Sequence, residues 1–207
     1  MSTLVFDTET SGLWRDDLPA MDPNQPHLVQ LGAQLFDRHW NKRGHLNVLI
    51  RPDGWEIEKQ AEAVHGISTA TCHRYGVALA EALVAFRALA TPAARCVAHN
   101  LAFDRKILAV AIHRAGGEGV WWHRMAPKFL CTMEAATDVC QLPATFGGFK
   151  WPSLEEALAV LLPDRQIAVR HDTDSDVVAC AALYRELIER GVVVEPDPFA
   201  IGGSNER

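Results

Sequence analysis

Three short clusters carry the groups that could do chemistry. The first is Asp7-Thr8-Glu9, at the end of the apolar run Thr3–Phe6. In an extended strand, residues i and i+2 point to the same face, so these two carboxylates converge on one spot. Their repulsion is costly unless a cation lies between them. An all-oxygen acidic site suits magnesium or manganese. The plainer alternative is that both acids mark the solvated end of a strand. The second cluster runs from His99 to Asp104, a strand end followed by the start of a helix. An aspartate in a first helical turn is also favoured by the helix dipole alone. The third is His171-Asp172-Thr173-Asp174-Ser175-Asp176. His171 in a loop and Asp176 in a first turn can aim at one reacting water. Asp172, Thr173, Asp174 and Ser175 are all also suitable N-caps.

The elements that must position these groups follow from periodicity. A buried strand is expected over 3–7, then a polar loop over 14–26 with three prolines and three aspartates. Strands are expected over 27–37 and 45–52, joined by a turn at Asn41-Lys42-Arg43-Gly44. These three strands form an antiparallel meander. Helices are expected over 77–90 and 103–116, the second ended by Gly116, with a short strand over 95–99 between them. A further helix over 153–162 opens with the capping box Ser153 and Glu156. The last, over 174–190, presents Val177, Ala181, Tyr184 and Ile188 as one stripe and stops at Gly191. Strands first, then a strand alternating with helices, indicate an α/β fold: one mixed sheet, an antiparallel meander plus parallel strands, flanked by helices. The domain is expected to cover 1–194, with 195–207 as a flexible tail.

Bulk properties narrow the function classes. A chain of 207 residues with 48% hydrophobic residues builds one sizeable core. No apolar run approaches the length of a membrane span, and the N-terminus lacks the pattern of a secretory signal. The five cysteines are scattered and never spaced as CxxC. They read as reduced core thiols of a cytoplasmic protein, not a disulfide framework or a zinc site. A net charge of −6 argues against a surface that coats nucleic acid, but not against an enzyme that grips a strand end.

FDTETSGL, AHNLAFD and HDTDSD, in that order, resemble the three motifs of the DEDDh family of 3′→5′ exonucleases. That family includes the proofreading subunit of bacterial DNA polymerase III, ribonuclease T and oligoribonuclease. Ala63-Val64-His65-Gly66-Ile67-Ser68 is similar to the family's His-Gly-Ile segment, and the resemblance spans about residues 3–190. It implies an RNase H-like exonuclease fold. It implies that Asp7, Glu9, Asp104 and Asp176 bind two Mg2+ or Mn2+ ions and that His171 is the general base. An imidazole, with an ordinary pKa of about 6.5, accepts a proton near neutrality. The related tyrosine branch would need tyrosine at 172, where this chain has Asp172. The resemblance further implies that Thr10, Gly12 and Leu13 hold the terminal nucleotide and that His65 and Ile67 flank its base. The substrate would be the 3′ end of single-stranded nucleic acid, DNA or RNA, released as 5′-nucleoside monophosphates. A homodimer, and a polymerase or other protein partner, are left open. No membrane partner is expected.

One departure stands out. Asp174 and Ser175 occupy positions where the family has small or apolar residues. Asp174 is read as the helix cap, or else as added negative potential beside the metals. Phe103 is read as core before substrate contact, and Trp121, Trp122 and Trp151 are given no role. Arg15, Arg105, Lys106 and Lys150 read as solvated surface. Two rival functions remain: a non-catalytic nucleic-acid-binding or polymerase-partner module, and a haloacid dehalogenase-type phosphotransferase. The second fits poorly, because its second acid is an aspartate and its sheet is parallel.

Overall fold

The computed structural model describes residues 2–195. Its centre is one five-stranded sheet in the order β3-β2-β1-β4-β5. Strand β1 (Thr3–Thr10) pairs antiparallel with β2 (Leu28–Phe36), which pairs antiparallel with β3 (Lys42–Leu49). On its other edge β1 runs parallel to β4 (Arg95–Ala98), and β4 to β5 (Phe129–Cys131). The expected mixed sheet is therefore observed.

Alternation along β1 distributes its side chains between two cores. Leu4 and Phe6 point to the layer of α3 (Leu79–Ala90) and α4 (Leu101–Arg114), where they meet Phe86, Ile107, Leu108 and Trp122. Val5 points the other way. It packs with Val97 against α6 (Thr132–Cys140), α7 (Leu154–Leu161) and α8 (Thr173–Glu189). Two short helices, α1 (Lys59–His65) and α2 (Thr69–Tyr75), and a single turn and a half, α5 (Val120–Arg124), complete the set. All five cysteines are free and buried, as expected of small core residues.

Several local expectations need correction. The β2–β3 turn is not Asn41–Gly44. It spans 37–41, and β3 begins at Lys42. The cause is Asp37, whose carboxylate accepts from the backbone N–H groups of His39 and Asn41 and from the Arg43 side chain. These bonds hold Asp37 well below the usual carboxylate range. Trp40 takes the left-handed conformation within it. The first strand is longer than 3–7 and carries the acids inside the strand. Helices α1, α2, α5 and α6 and strand β5 have no counterpart among the expected elements. Of the expected tail, 196–207 lies outside the described residues.

The loop over 14–26 is polar but not loose. The Gln25 side chain, 1% exposed, donates to the carbonyls of Arg15, Leu18 and Pro19 and accepts from the Arg15 N–H. Arg114, at the end of α4, donates to the carbonyls of Pro23, Gln25 and Pro26. Buried donors thus satisfy a chain that has no ladder of its own.

Candidate active site

The site lies where β1 outruns its neighbour. β2 pairs with β1 along its whole length, but β4 pairs only with Thr3, Leu4 and Val5. From Phe6 onward the β4 side of β1 is open. Asp7 and Glu9 continue the face of Val5, toward α8. Thr8 continues the opposite face, toward α4. Side chains from both layers can therefore meet around one strand end.

Helix α8 is brought in by a glycine. Gly32 on β2 lies directly opposite Asp7, and a Cβ there would stand 2.4 Å from the Thr173 side chain. Only a bare backbone lets the start of α8 rest on the sheet at that point. Polar bonds then fix the helix end. Thr173 N–H donates to Gln30 Oε1, and the Gln34 amide donates to Asp174. His45 Nε2 lies 2.7 Å from the Asp174 carboxylate. The cap is Asp172, whose side chain accepts from the N–H groups of Asp174 and Ser175. Asp174 is thus a tether to β2 and β3, not the expected cap. Asp172 won the position because its extended backbone precedes the first helical residue.

With α8 held, Asp7, Glu9 and Asp176 each offer a carboxylate oxygen within 4.8 Å of the other two. Asp104, 2% exposed in the first turn of α4, lines the same cavity of about 350 Å3, as does His171. Asp104 stands outside the tight triplet, and its Oδ1 accepts from the Thr8 hydroxyl at 2.8 Å. Asp176 Oδ1 accepts from the Arg170 N–H at 3.0 Å and from the Ser175 hydroxyl at 3.1 Å. His171 is exposed and left-handed, with φ of 52°. Two residues outside the sequence-derived set matter. Thr8 orients Asp104. His99 is clamped between Thr132 Oγ1 and the Pro152 carbonyl, each at 3.0 Å, and joins the wall to the loop before α7. A threonine between two acids and a histidine at a strand end carry no distinguishing sequence pattern.

The electrostatics are those of a site short of positive charge. Burial, and then the neighbouring Asp176 charge, push the Asp7 carboxyl up to about 7. Burial, and then Asp7, push Glu9 up to about 9. Burial also raises Asp104 well above the ordinary range, with Asp7 adding to it. Asp176 is raised by burial, against the opposing pull of the Arg170 N–H bond. Among the described residues, no lysine or arginine ion pair reaches any of the four. Oxygen-only ligands without counter-charge fit hard divalent cations.

A second cavity, of about 390 Å3, adjoins the first and shares Thr8, Glu9 and Phe103 with it. Thr10, Gly12, Leu13 and His65 line it. Thr10 Oγ1 donates to the Gly12 carbonyl, and Leu13 is 79% exposed at the rim. His65 is buried with a defined tautomer. Ile67 N–H donates to Nδ1, so the proton sits on Nε2 and is donated to the Thr10 carbonyl. Ile67 does not line this cavity. Its side chain packs toward Val29, Ile57 and Cys72, and it acts on His65 through its backbone. Phe103, expected in the core, packs on the core and also forms the wall between the two cavities. A larger cavity, about 660 Å3, lies elsewhere, against His27, Trp55 and Arg114, and contains none of the four acids.

The RNase T exonuclease family model matches residues 4–184. The chain belongs to that exonuclease family. Its motifs mark it as a member of the DEDDh type that they resemble, and the RNase H-like exonuclease fold is shown. No curated protein matches the sequence. Among solved structures, E. coli exonuclease I in complex with a dT13 oligonucleotide is 18% identical, with a TM-score of 0.72 over 91% of this chain and 41% of that one. Exonuclease I from Methylocaldum szegediense is 19% identical, with a TM-score of 0.70 over 91% and 40%. A zinc-bound complex of E. coli exonuclease I with single-stranded DNA is 20% identical, with a TM-score of 0.69 over 91% and 40%. The chain spans about two-fifths of the length of these proteins. At this identity the likeness is one of fold.

Proposed function

We propose that the protein is a metal-dependent 3′→5′ exonuclease that removes 5′-nucleoside monophosphates from single-stranded nucleic acid. The observation that carries this reading is the convergence of half-buried Asp7 and Glu9 with buried Asp176, without a lysine or arginine ion pair among the described residues, beside His171 and next to a cavity for one terminal residue. The family match supports hydrolysis of a nucleic acid. The complexes of exonuclease I with dT13 and with single-stranded DNA support a single-stranded substrate.

Asp7, Glu9, Asp104 and Asp176 would hold two Mg2+ or Mn2+ ions. Such ions neutralise the phosphodiester and ease both attack by water and departure of the 3′-oxygen. The protein's own groups do the rest. His171, exposed at the cavity mouth, takes the proton from the attacking water. Asp176 receives two hydrogen bonds on one oxygen, which orients the other into the cavity. Thr8 does the same for Asp104. Thr10, Gly12 and Leu13 cradle the terminal nucleotide, and the neutral His65 fixes the Thr10 backbone. Water adds to phosphorus, the bond to the 3′-oxygen of the penultimate nucleotide breaks, and that oxygen gains a proton.

The test is digestion of a 5′-labelled oligomer with magnesium or manganese, with chelator, and with Asp7→Ala. A ladder shortening one nucleotide at a time, abolished by chelator and by the variant, is expected. Turnover by rigorously metal-free protein, or internal cuts without a ladder, would refute the reading.

A further inference from the structure

Loop 142–152, between α6 and α7, carries three exposed aromatic side chains. Phe146 is 100% exposed, Trp151 67% and Phe149 45%. None of the three joins a hydrophobic cluster or an aromatic pair of the described residues. The loop is nevertheless built. Leu142 packs into the α7–α8 core, Pro143 bridges antiparallel to Phe149, and Lys150 N–H donates to the Leu142 carbonyl. Gly147 and Gly148 turn the tip with φ of 90° and 74°. At its far end Pro152 is buried, accepts from His99 and lines the acid cavity with Ser153 and Glu155. Three exposed apolar rings on a built loop whose end, Pro152, lines the acid cavity are costly to leave in water, which marks them as a contact surface.

We propose that Phe146, Phe149 and Trp151 form a stacking platform for the unpaired bases of the substrate strand upstream of the scissile phosphate. The inference rests on the proposed nuclease reading and deepens it. Three observations favour nucleobases as the occupant. First, the platform is continuous with the acid cavity through Pro152, so a strand whose 3′ end lies at the acids passes this side or the side of Leu13. Second, the rings are flat and large, and every base offers a π-face to such a ring regardless of sequence. Third, the charged groups beside the loop are compatible with a phosphate backbone. Lys150 shares its charge with Glu156, and Arg170 is exposed next to His171. Glu155 adds a further carboxylate to the cavity wall beside the four acids, so the phosphates there depend on bound cations and the bases on the rings. With a net charge of −6 the protein has little broad electrostatic grip, so a grip on bases compensates.

The test compares wild type with the triple alanine variant of Phe146, Phe149 and Trp151. Binding of a 5′-labelled thymidylate oligomer is measured with calcium in place of the catalytic metal, and hydrolysis of p-nitrophenyl thymidine 5′-monophosphate with manganese. The small ester needs the acids but has no upstream bases. Oligomer affinity should fall at least about tenfold, with ester hydrolysis unchanged. Trp151→Phe should retain affinity and Trp151→Leu lose it, and oligomers abasic upstream should bind both proteins alike. Unchanged oligomer affinity in the triple variant overturns the platform. So does unchanged affinity with altered sedimentation, which would assign the rings to contact with a protein. Absence of ester hydrolysis by wild type would instead strike the nuclease reading, so the two failures are distinct.

Discussion

Replacing Asp7 with asparagine should stabilise the metal-free protein, and by an amount that grows with pH. Asp7 titrates at about 7 in the fold against an ordinary value of 3.8, because burial and then Asp176 disfavour its charge. An acid raised in this way gives stability that is complete below the unfolded value. That stability is lost as pH climbs from 3.8 to about 7, since the unfolded chain ionises first. Asparagine does not titrate, so its margin over wild type widens through that window and levels above it. At pH 5 the unfolded aspartate has gained about 1.6 kcal/mol by ionising, and at pH 8 the gain is capped at about 4 kcal/mol. The difference is about 2.5 kcal/mol at most, and partial solvent access at the cavity mouth lowers it to about 1–2.5 kcal/mol. For a chain of this size that is a rise in melting temperature of about 2–10 °C, over and above any margin at pH 5. Glu9 acts in the same direction, because Asp7 is its main charged neighbour and removing that charge relieves it. The fixed cost of exchanging oxygen for an amide nitrogen cancels between the two pH values. Thermal melts of both proteins in excess chelator from pH 5 to pH 8 measure the margin directly. A margin that stays constant or shrinks as pH rises would refute the clustering of charge on which the site is built.

The same raised acids make metal uptake displace protons. Manganese binding near pH 6.5 should release about one to two protons, so its calorimetric heat should change with the ionisation enthalpy of the buffer; a buffer-independent heat would show that the acids are already ionised. His171→Ala should lower turnover about 10²–10⁴-fold while leaving manganese affinity nearly intact. A loss of metal affinity equal to that of Asp7→Ala would make His171 a ligand and not a base. Gly32→Ala should cost about 1–3 kcal/mol through the clash with Thr173 and should lower kcat by shifting the start of α8, read by melting and by steady-state rates; an unchanged melting temperature would mean that α8 is not seated there.

Elements with a strong period were legible in the chain, and elements defined by a distant partner were not. The apolar run that ends at Phe6 and the acids that follow it appear directly in the sequence, and so does the capping box of α7. Helices α1 and α2 are too short for one face to be read, and both end at glycines that resemble loop markers. Strand β5 has three residues and exists because β4 offers it a parallel edge. The order in the loop 14–26 depends on Arg114, far along the chain, and no local pattern announces it. At the start of α8 four consecutive residues could cap. Only the sheet beneath decides, because Asp174 has Gln34 and His45 within reach and Asp172 does not.

The position of the site follows from one mismatch in strand length. If β4 continued alongside Asp7 and Glu9, the backbone of β1 would be satisfied there and its carboxylates would face packed layers on both sides. Because β4 stops pairing at Val97, the chain turns through left-handed Asn100 into α4, and Asp104 arrives beside Thr8 from the opposite layer. Helix α8 brings Asp176 and His171 from the other side only because Gly32 leaves room for Thr173. The acids therefore converge from three elements with little freedom to move apart, and burial raises their pKa instead. That is the arrangement expected of a fold whose stability is lowered locally so that divalent cations, and through them a phosphate, are the groups that relieve it.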